Sequence, residues 1–186
     1  MSCIGEVAEL LRRSNCIKLG KFVLSSGAES SIYIDLRSIL SHPREFKLLV
    51  KLCSKSIENL SFDILAGIES SGIPLATALA LEHEKPMIYV RKEAKAHGLA
   101  KRIEGDVPLD GRALIIDDVA TTGSSIESAV KALRSEGLAV SDAFVVVDRE
   151  EGARERLDSI GVRLSSLITL SQLVSGLEAA GGDPGC

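Results

Sequence analysis

Two adjacent carboxylates followed by a run of small hydroxyl residues form the chemically telling feature of this 186-residue chain. The stretch reads Ala113-Leu114-Ile115-Ile116-Asp117-Asp118-Val119-Ala120-Thr121-Thr122-Gly123-Ser124-Ser125. Its apolar part predicts a buried strand, and open α/β sheets bind ligands at the C-terminal ends of such strands. The small residues predict a turn that opens a helix, with Ile126, Ala129, Val130 and Leu133 on one face. Ser124 and Glu127 have the spacing of a capping box at that helix start. A turn of this kind offers backbone N–H groups, hydroxyl donors and a positive dipole end, so a phosphate monoester fits without a lysine. The two acids suit a different partner: they accept hydrogen bonds from vicinal hydroxyls or help hold Mg²⁺. Ribose 5-phosphate presents both features a short distance apart. A capped helix behind a strand with two solvated acids is the plainer alternative.

The elements that must position these residues follow from periodicity. Val7, Leu10 and Leu11 predict an amphipathic helix over 2–14. A strand and turn from Lys21 to Gly27 and a strand from Ser31 to Leu36 follow, then a helix opened by Pro43. Strands are predicted at 62–68, 86–91, 112–118 and 140–147, with helices over 72–83 and 125–135 between them. A short helix, a weak strand near Val162 and a last helix from Ser171 complete the chain. Repeated βαβ units imply an α/β fold: a central, mostly parallel sheet with helices on both faces. The expected organisation is a single domain over 1–186, with N-terminal hood elements in 1–40 and a frayed tail at 181–186.

Composition narrows the class. A 45% hydrophobic share with only 3% aromatics and no Trp predicts an aliphatic core of the kind that suits a sheet buried on both faces. A net charge of −4 argues against a general nucleic-acid binder. No apolar run reaches the roughly 18–20 residues that a membrane span requires. Glu6 stands where a signal peptide would carry a basic patch, so a cytoplasmic location is expected. Cys3, Cys16, Cys53 and Cys186 form no CxxC pair and no metal-ligand spacing with the three histidines.

The stretch 93–109 is long and polar for a connection inside an α/β domain, and holds Lys95, His97, Lys101 and Arg102 beside Glu93, Glu104 and Asp106. Composition leaves open whether it is a functional lid or an inert insertion.

Four motifs, taken in order, resemble one family. The 113–125 stretch is similar to the phosphoribosyl pyrophosphate signature of type I phosphoribosyltransferases. Tyr89-Val90-Arg91-Lys92-Glu93-Ala94-Lys95-Ala96-His97-Gly98 resembles the flexible-loop motif of orotate phosphoribosyltransferases nearly residue for residue. Phe22-Val23-Leu24-Ser25-Ser26-Gly27 with Ser30, Ser31 and Tyr33 resembles that family's N-terminal hood, and Asp148-Arg149-Glu150-Glu151-Gly152 its segment after the next strand. The resemblance is collinear from about Phe22 to Gly152.

It implies transfer of a phosphoribosyl group from phosphoribosyl pyrophosphate to orotate, with Mg²⁺ held mainly by substrate and no firm protein ligand set. Asp117, Asp118, Val119, Ala120, Thr121, Thr122, Gly123, Ser124 and Ser125 would engage the ribose 5-phosphate. Arg91, Lys92, Lys95 and His97 would bring cations to the pyrophosphate, partly across a homodimer interface, with Lys95 counted beside Asp117 and Asp118 as catalytic. Arg149 would pair with the orotate carboxylate, a planar acceptor matched by a guanidinium fork, while Thr121 and Ser25 lie on the orotate side. An exposed arginine in an acidic cluster is the alternative for Arg149. Some family members carry lysines where this chain has Ser25 and Ser71, so those lysine roles do not carry over. The Ser70-Ser71-Gly72 turn can still offer backbone N–H groups to pyrophosphate. Two rival readings share the fold: an enzyme for a purine or other base, and a non-catalytic nucleotide-sensing regulator. Regulators of that kind usually add a DNA-binding module, and the ~20 residues before Phe22 are too few for one.

Overall fold

The computed structural model describes residues 3–23, 29–93, 102–107 and 110–179. Ser25, Lys95, His97 and the 181–186 tail lie outside the described residues. The chain begins with α1 (Cys3–Arg13), whose Val7, Ala8, Leu10 and Leu11 are buried. A hairpin follows, β1 (Ile17–Val23) antiparallel to β2 (Glu29–Ile34). Its first strand starts four residues before Lys21, because Ile17 and Leu19 find cross-strand partners in Ile34 and Ile32. A 3₁₀ turn over Leu36–Ser41, not foreseen from the sequence, buries Leu36 and Ile39 and leads into α2 (Pro43–Ile57). Pro43 sits in the first turn of α2, where its missing N–H has no intrahelical partner to lose.

The six-stranded sheet is built from β3 (Ile64–Ile68), β4 (Met87–Val90), β5 (Ile103–Glu104), β6 (Arg112–Ala120), β7 (Ala139–Asp148) and β8 (Arg163–Thr169). Its order is β5-β4-β3-β6-β7-β8, parallel throughout except for β5, which runs antiparallel to β4. The weak strand expected near Val162 is thus a seven-residue edge strand. Between the strands lie α3 (Gly72–Glu82), α4 (Ser124–Ser135) and α5 (Ala153–Asp158), and α6 (Leu170–Ala179) follows β8. All five residues of β3 are buried, as a strand covered on both faces requires. One apolar cluster gathers Leu75 and Leu79 of α3, Leu49 and Cys53 of α2, Leu11 of α1 and Leu114 of β6. The other holds Ile126, Val130 and Leu133 of α4 against Ile115 and Val145. Gly176 of α6 lets α1 approach closely, since a Cβ there would stand 2.8 Å from Ala8 Cβ.

The stretch 93–109 is not structureless along its length. Ile103 and Glu104 pair with Val90 and Tyr89, and Ile103 is buried in the core. The return limb of the suspected lid is therefore an edge strand. The sheet claims it because Ile103 is the one strongly apolar residue of Lys101-Arg102-Ile103-Glu104-Gly105.

Candidate active site

Chain order places the site. From β3 the chain moves outward to β4, then returns to the other side of β3 to lay down β6, so the order switches between β3 and β6. Ligands of open α/β sheets bind at such a switch, beyond the strands' C-terminal ends. There the strand ends line up across the sheet: Arg91 and Lys92 after β4, Ser70 and Ser71 after β3, Asp117 to Ser125 at the end of β6, and Arg149 after β7. Every predicted site residue within the described part lies on this edge.

The end of β6 is organised by its own backbone. Asp118 N–H donates to Asp117 Oδ1 at 2.9 Å, and Val119 N–H to Asp118 Oδ1 at 2.8 Å. Asp117 is only 8% exposed. Burial pushes its carboxyl well above the usual carboxylate range, the neighbouring Asp118 charge pushes the same way, and Lys92 opposes them. The two adjacent acids each contribute to a recess. Asp117 lines one with the turn from Val119 to Ile126, whereas Asp118 lines another with Arg37, Ser71 and Pro74. Arg37 belongs to the unforeseen 3₁₀ turn and is held by Asp35 at 2.7 Å.

Two glycines permit this closeness. A Cβ on Gly72 would fall 2.4 Å from the Ile116 carbonyl and 3.2 Å from Asp117 Oδ1. Only glycine lets the first turn of α3 lie directly on the end of β6, which brings the Ser70-Ser71 turn beside the acids. Gly123 has φ 76° and caps α4 without a side-chain hydrogen bond. The capping box expected of Ser124 and Glu127 is therefore not formed. Glu127 N–H donates to the Gly123 carbonyl, while its carboxylate goes outward to Lys131 and Arg156 at 2.6 and 2.9 Å. Ser124 is consequently the first helical residue and not its cap. Thr122 Oγ1 donates to Ser124 Oγ at 3.3 Å.

Beyond β4, Arg91 pairs with Glu104 of β5 at 3.6 Å, and Lys92 is exposed with its N–H donated to Glu69 Oε2 at 3.0 Å. A recess of about 260 Å³ is lined by Arg91, Lys92, Arg102, Ser124, Ser125 and Ser128 among others. Cations at one wall and a helix N-terminus at the other suit a polyanion.

Arg149 is 6% exposed, which rules out the exposed-cluster alternative. Its N–H donates to the Ala120 carbonyl at 2.9 Å and its Nε to Glu151 Oε1 at 2.8 Å. Buried Asp148 braces the same loop, accepting from Glu150 N–H at 2.9 Å and from Arg154 Nε at 2.6 Å. Glu150 in turn accepts from Ser171 N–H and Oγ at the start of α6. Sequence reasoning gave no role to Glu69, which directly precedes the Ser70-Ser71-Gly72 turn, and missed Arg37 and Ser128, which belong to no local motif. Arg102 was noted only as a loop charge.

The phosphoribosyl transferase domain family matches residues 35–169. The orotate phosphoribosyltransferase of Pyrococcus abyssi (strain GE5 / Orsay) is 44% identical over 178 residues, covering 95% of this chain and 96% of that one. The uridine 5'-monophosphate synthase of Bos taurus is 41% identical over 177 residues, 94% of this chain and 37% of that longer one. The crystal structure of orotate phosphoribosyltransferase from Aeropyrum pernix superposes with a TM-score of 0.84 at 40% identity, covering 95% of this chain and 99% of that one.

Proposed function

The chain belongs to the orotate phosphoribosyltransferase family, and from that premise we propose that it converts orotate and phosphoribosyl pyrophosphate into orotidine 5′-phosphate and pyrophosphate, a step of pyrimidine nucleotide synthesis. The observation that carries the reading is the line of strand ends with Lys92, Ser71, Asp117 and Arg149 in spatial order across the sheet. That order matches the order of groups in the reacting pair: pyrophosphate, ribose, then base.

In the reaction the C1′–O bond to pyrophosphate breaks with its electron pair leaving on oxygen, and a ring nitrogen of orotate bonds to C1′ as its N–H proton passes to the released pyrophosphate or to water. Backbone N–H groups and hydroxyls from Thr121 to Ser125 hold the 5-phosphate. Asp117 and Asp118 accept from the ribose hydroxyls. Charge that builds on the leaving oxygens meets Arg91 and Lys92, and by family resemblance Lys95 and His97. Arg149, fixed by Glu151, takes the orotate carboxylate, with Thr121 and Ser25 on the same side. A base without a carboxylate would forgo that charged pair, which favours orotate over a purine.

Among the described residues no group of three or more His, Cys, Asp or Glu side chains could hold a metal ion. Asp117 and Asp118 offer two carboxylates, and Mg²⁺ is ordinarily held by one or two carboxylates together with substrate phosphates. The residues therefore fit a Mg²⁺ carried mainly by substrate oxygens. Bound there, it would neutralise charge on the pyrophosphate.

The loop motif from Arg91 to Gly98 supports a homodimer whose subunits share Lys95 and His97. Among the described residues no helix is long and apolar enough to cross a membrane, which fits the proposed cytoplasmic location. Incubation of the pure chain with phosphoribosyl pyrophosphate, Mg²⁺ and a panel of bases tests the activity. Orotate should be consumed only when both are present, and Arg149→Ala should raise its KM by about 30-fold or more, with little change for phosphoribosyl pyrophosphate. Turnover of a purine with orotate untouched would contradict the substrate assignment.

A further inference from the structure

Arg102 is half-buried at the foot of β5 and belongs to none of the motifs that mark the site. Its Nε and Nη2 donate to the Arg91 carbonyl at 3.3 and 3.1 Å, and Nη2 also donates to Ser128 Oγ at 3.1 Å. The backbone answers in the opposite direction, with Arg91 N–H donating to the Arg102 carbonyl at 2.7 Å. One guanidinium thus joins the end of β4 to α4. Ser128 lies one turn beyond Ser124, on the same helix face. All of these residues line the 260 Å³ recess together with Lys92 and Ser125.

We propose that Arg102 is a positioning residue that fixes Arg91 and Lys92 at a set span from the phosphate turn at the start of α4. The role rests on the function proposed above, in which Lys92 meets the pyrophosphate and the turn holds the 5-phosphate. These two anionic groups lie at opposite ends of one substrate, so the span between their binding elements decides whether both engage at once. Among the described residues the β4 side is tethered by β5 pairing, the Arg91–Glu104 ion pair, the Glu69 carboxylate on Lys92 N–H, and Arg102. Of these, Arg102 alone reaches α4 through its side chain. A lysine, with one compact ammonium, lacks the planar fork that bridges a carbonyl and a hydroxyl.

The test is steady-state kinetics on the full chain with phosphoribosyl pyrophosphate and orotate varied separately. Arg102→Ala should raise the KM for phosphoribosyl pyrophosphate about tenfold and leave that for orotate within about twofold, with Arg102→Lys rescuing only part of the loss. Ser128→Ala, which removes only the α4 end and changes the fold least, should raise the same KM by roughly threefold. In an Arg91→Ala/Lys92→Ala background the effect of Arg102→Ala should shrink to less than about threefold, because a residue acting through these two cations has nothing left to position. Equal factors in both backgrounds, or equal rises in both KM values, would overturn the proposal and leave Arg102 a purely structural brace. Lys92→Ala with an unchanged KM for phosphoribosyl pyrophosphate would overturn it as well. A wild-type chain that consumes no orotate overturns the functional reading and this role together.

Discussion

The ends of β6 and β4 face each other across the switch point and are built in opposite ways. At the end of β6, consecutive residues do the work: Asp117 and Asp118 each take a neighbouring N–H, Gly123 turns the chain at φ 76°, and α4 begins at once. At the end of β4 the cations are held from a distance. Glu104 lies thirteen residues after Arg91, Arg102 eleven after it, and Glu69 twenty-three before Lys92. A group that binds one unchanging phosphate can be made from contiguous backbone. The cations proposed to meet the leaving group are instead held by residues distant in sequence.

Breaking the β6 end should have the largest effect. Replacing both Asp117 and Asp118 by Asn is expected to lower kcat/KM by more than about 10³-fold while the far-ultraviolet circular dichroism spectrum is unchanged. A double variant with normal turnover would remove the acids from the ribose. The β4 side is expected to be more forgiving. Lys95→Ala, by the family resemblance, should cut kcat by roughly 10²–10³-fold and leave orotate binding by calorimetry intact. Loss of orotate binding would place Lys95 at the base instead.

The smallest expected effect concerns stability. Burial, with repulsion from Asp118, holds the folded-state pKa of Asp117 above its unfolded value. Its ionisation therefore opposes folding at and above the raised folded-state pKa; the penalty shrinks as pH falls from there toward the ordinary carboxylate range and is gone below it, where both states are protonated. Asp117→Asn keeps an oxygen for Asp118 N–H, so it should raise Tm by a few degrees near about pH 7.5 and leave it unchanged near about pH 3. A variant less stable at neutral pH would show that the charge is better compensated than its burial implies.

The same contrast decides what could be read in advance. The strand–helix alternation and the 113–125 turn were legible because hydrophobic periodicity and small-residue runs are local signals. Gly72 was named for its turn, but the reason it must be glycine is the Ile116 carbonyl forty-four residues away. The capping box failed because a glycine with positive φ already ended the turn, leaving Ser124 inside the helix. Ile103–Glu104 was hidden in a polar stretch because a two-residue strand is defined by its partner, β4. Arg102 looked like one more solvated charge, since nothing in sequence brings it to Ser128. Burial of Arg149 likewise depends on the fold: its N–H meets Ala120 only because β7 lies beside β6.

Hydrogen exchange with each half of the substrate tests the division of labour most directly. Ribose 5-phosphate alone should slow amide exchange from Thr121 to Ser125 and leave Arg91 and Lys92 unchanged. Inorganic pyrophosphate with Mg²⁺ should slow exchange at Ser71, Gly72, Arg91 and Lys92, and leave the turn unchanged. Protection of the β4 end by ribose 5-phosphate, with none at the turn, would contradict the assignment of the 5-phosphate to β6 and of the leaving group to β4.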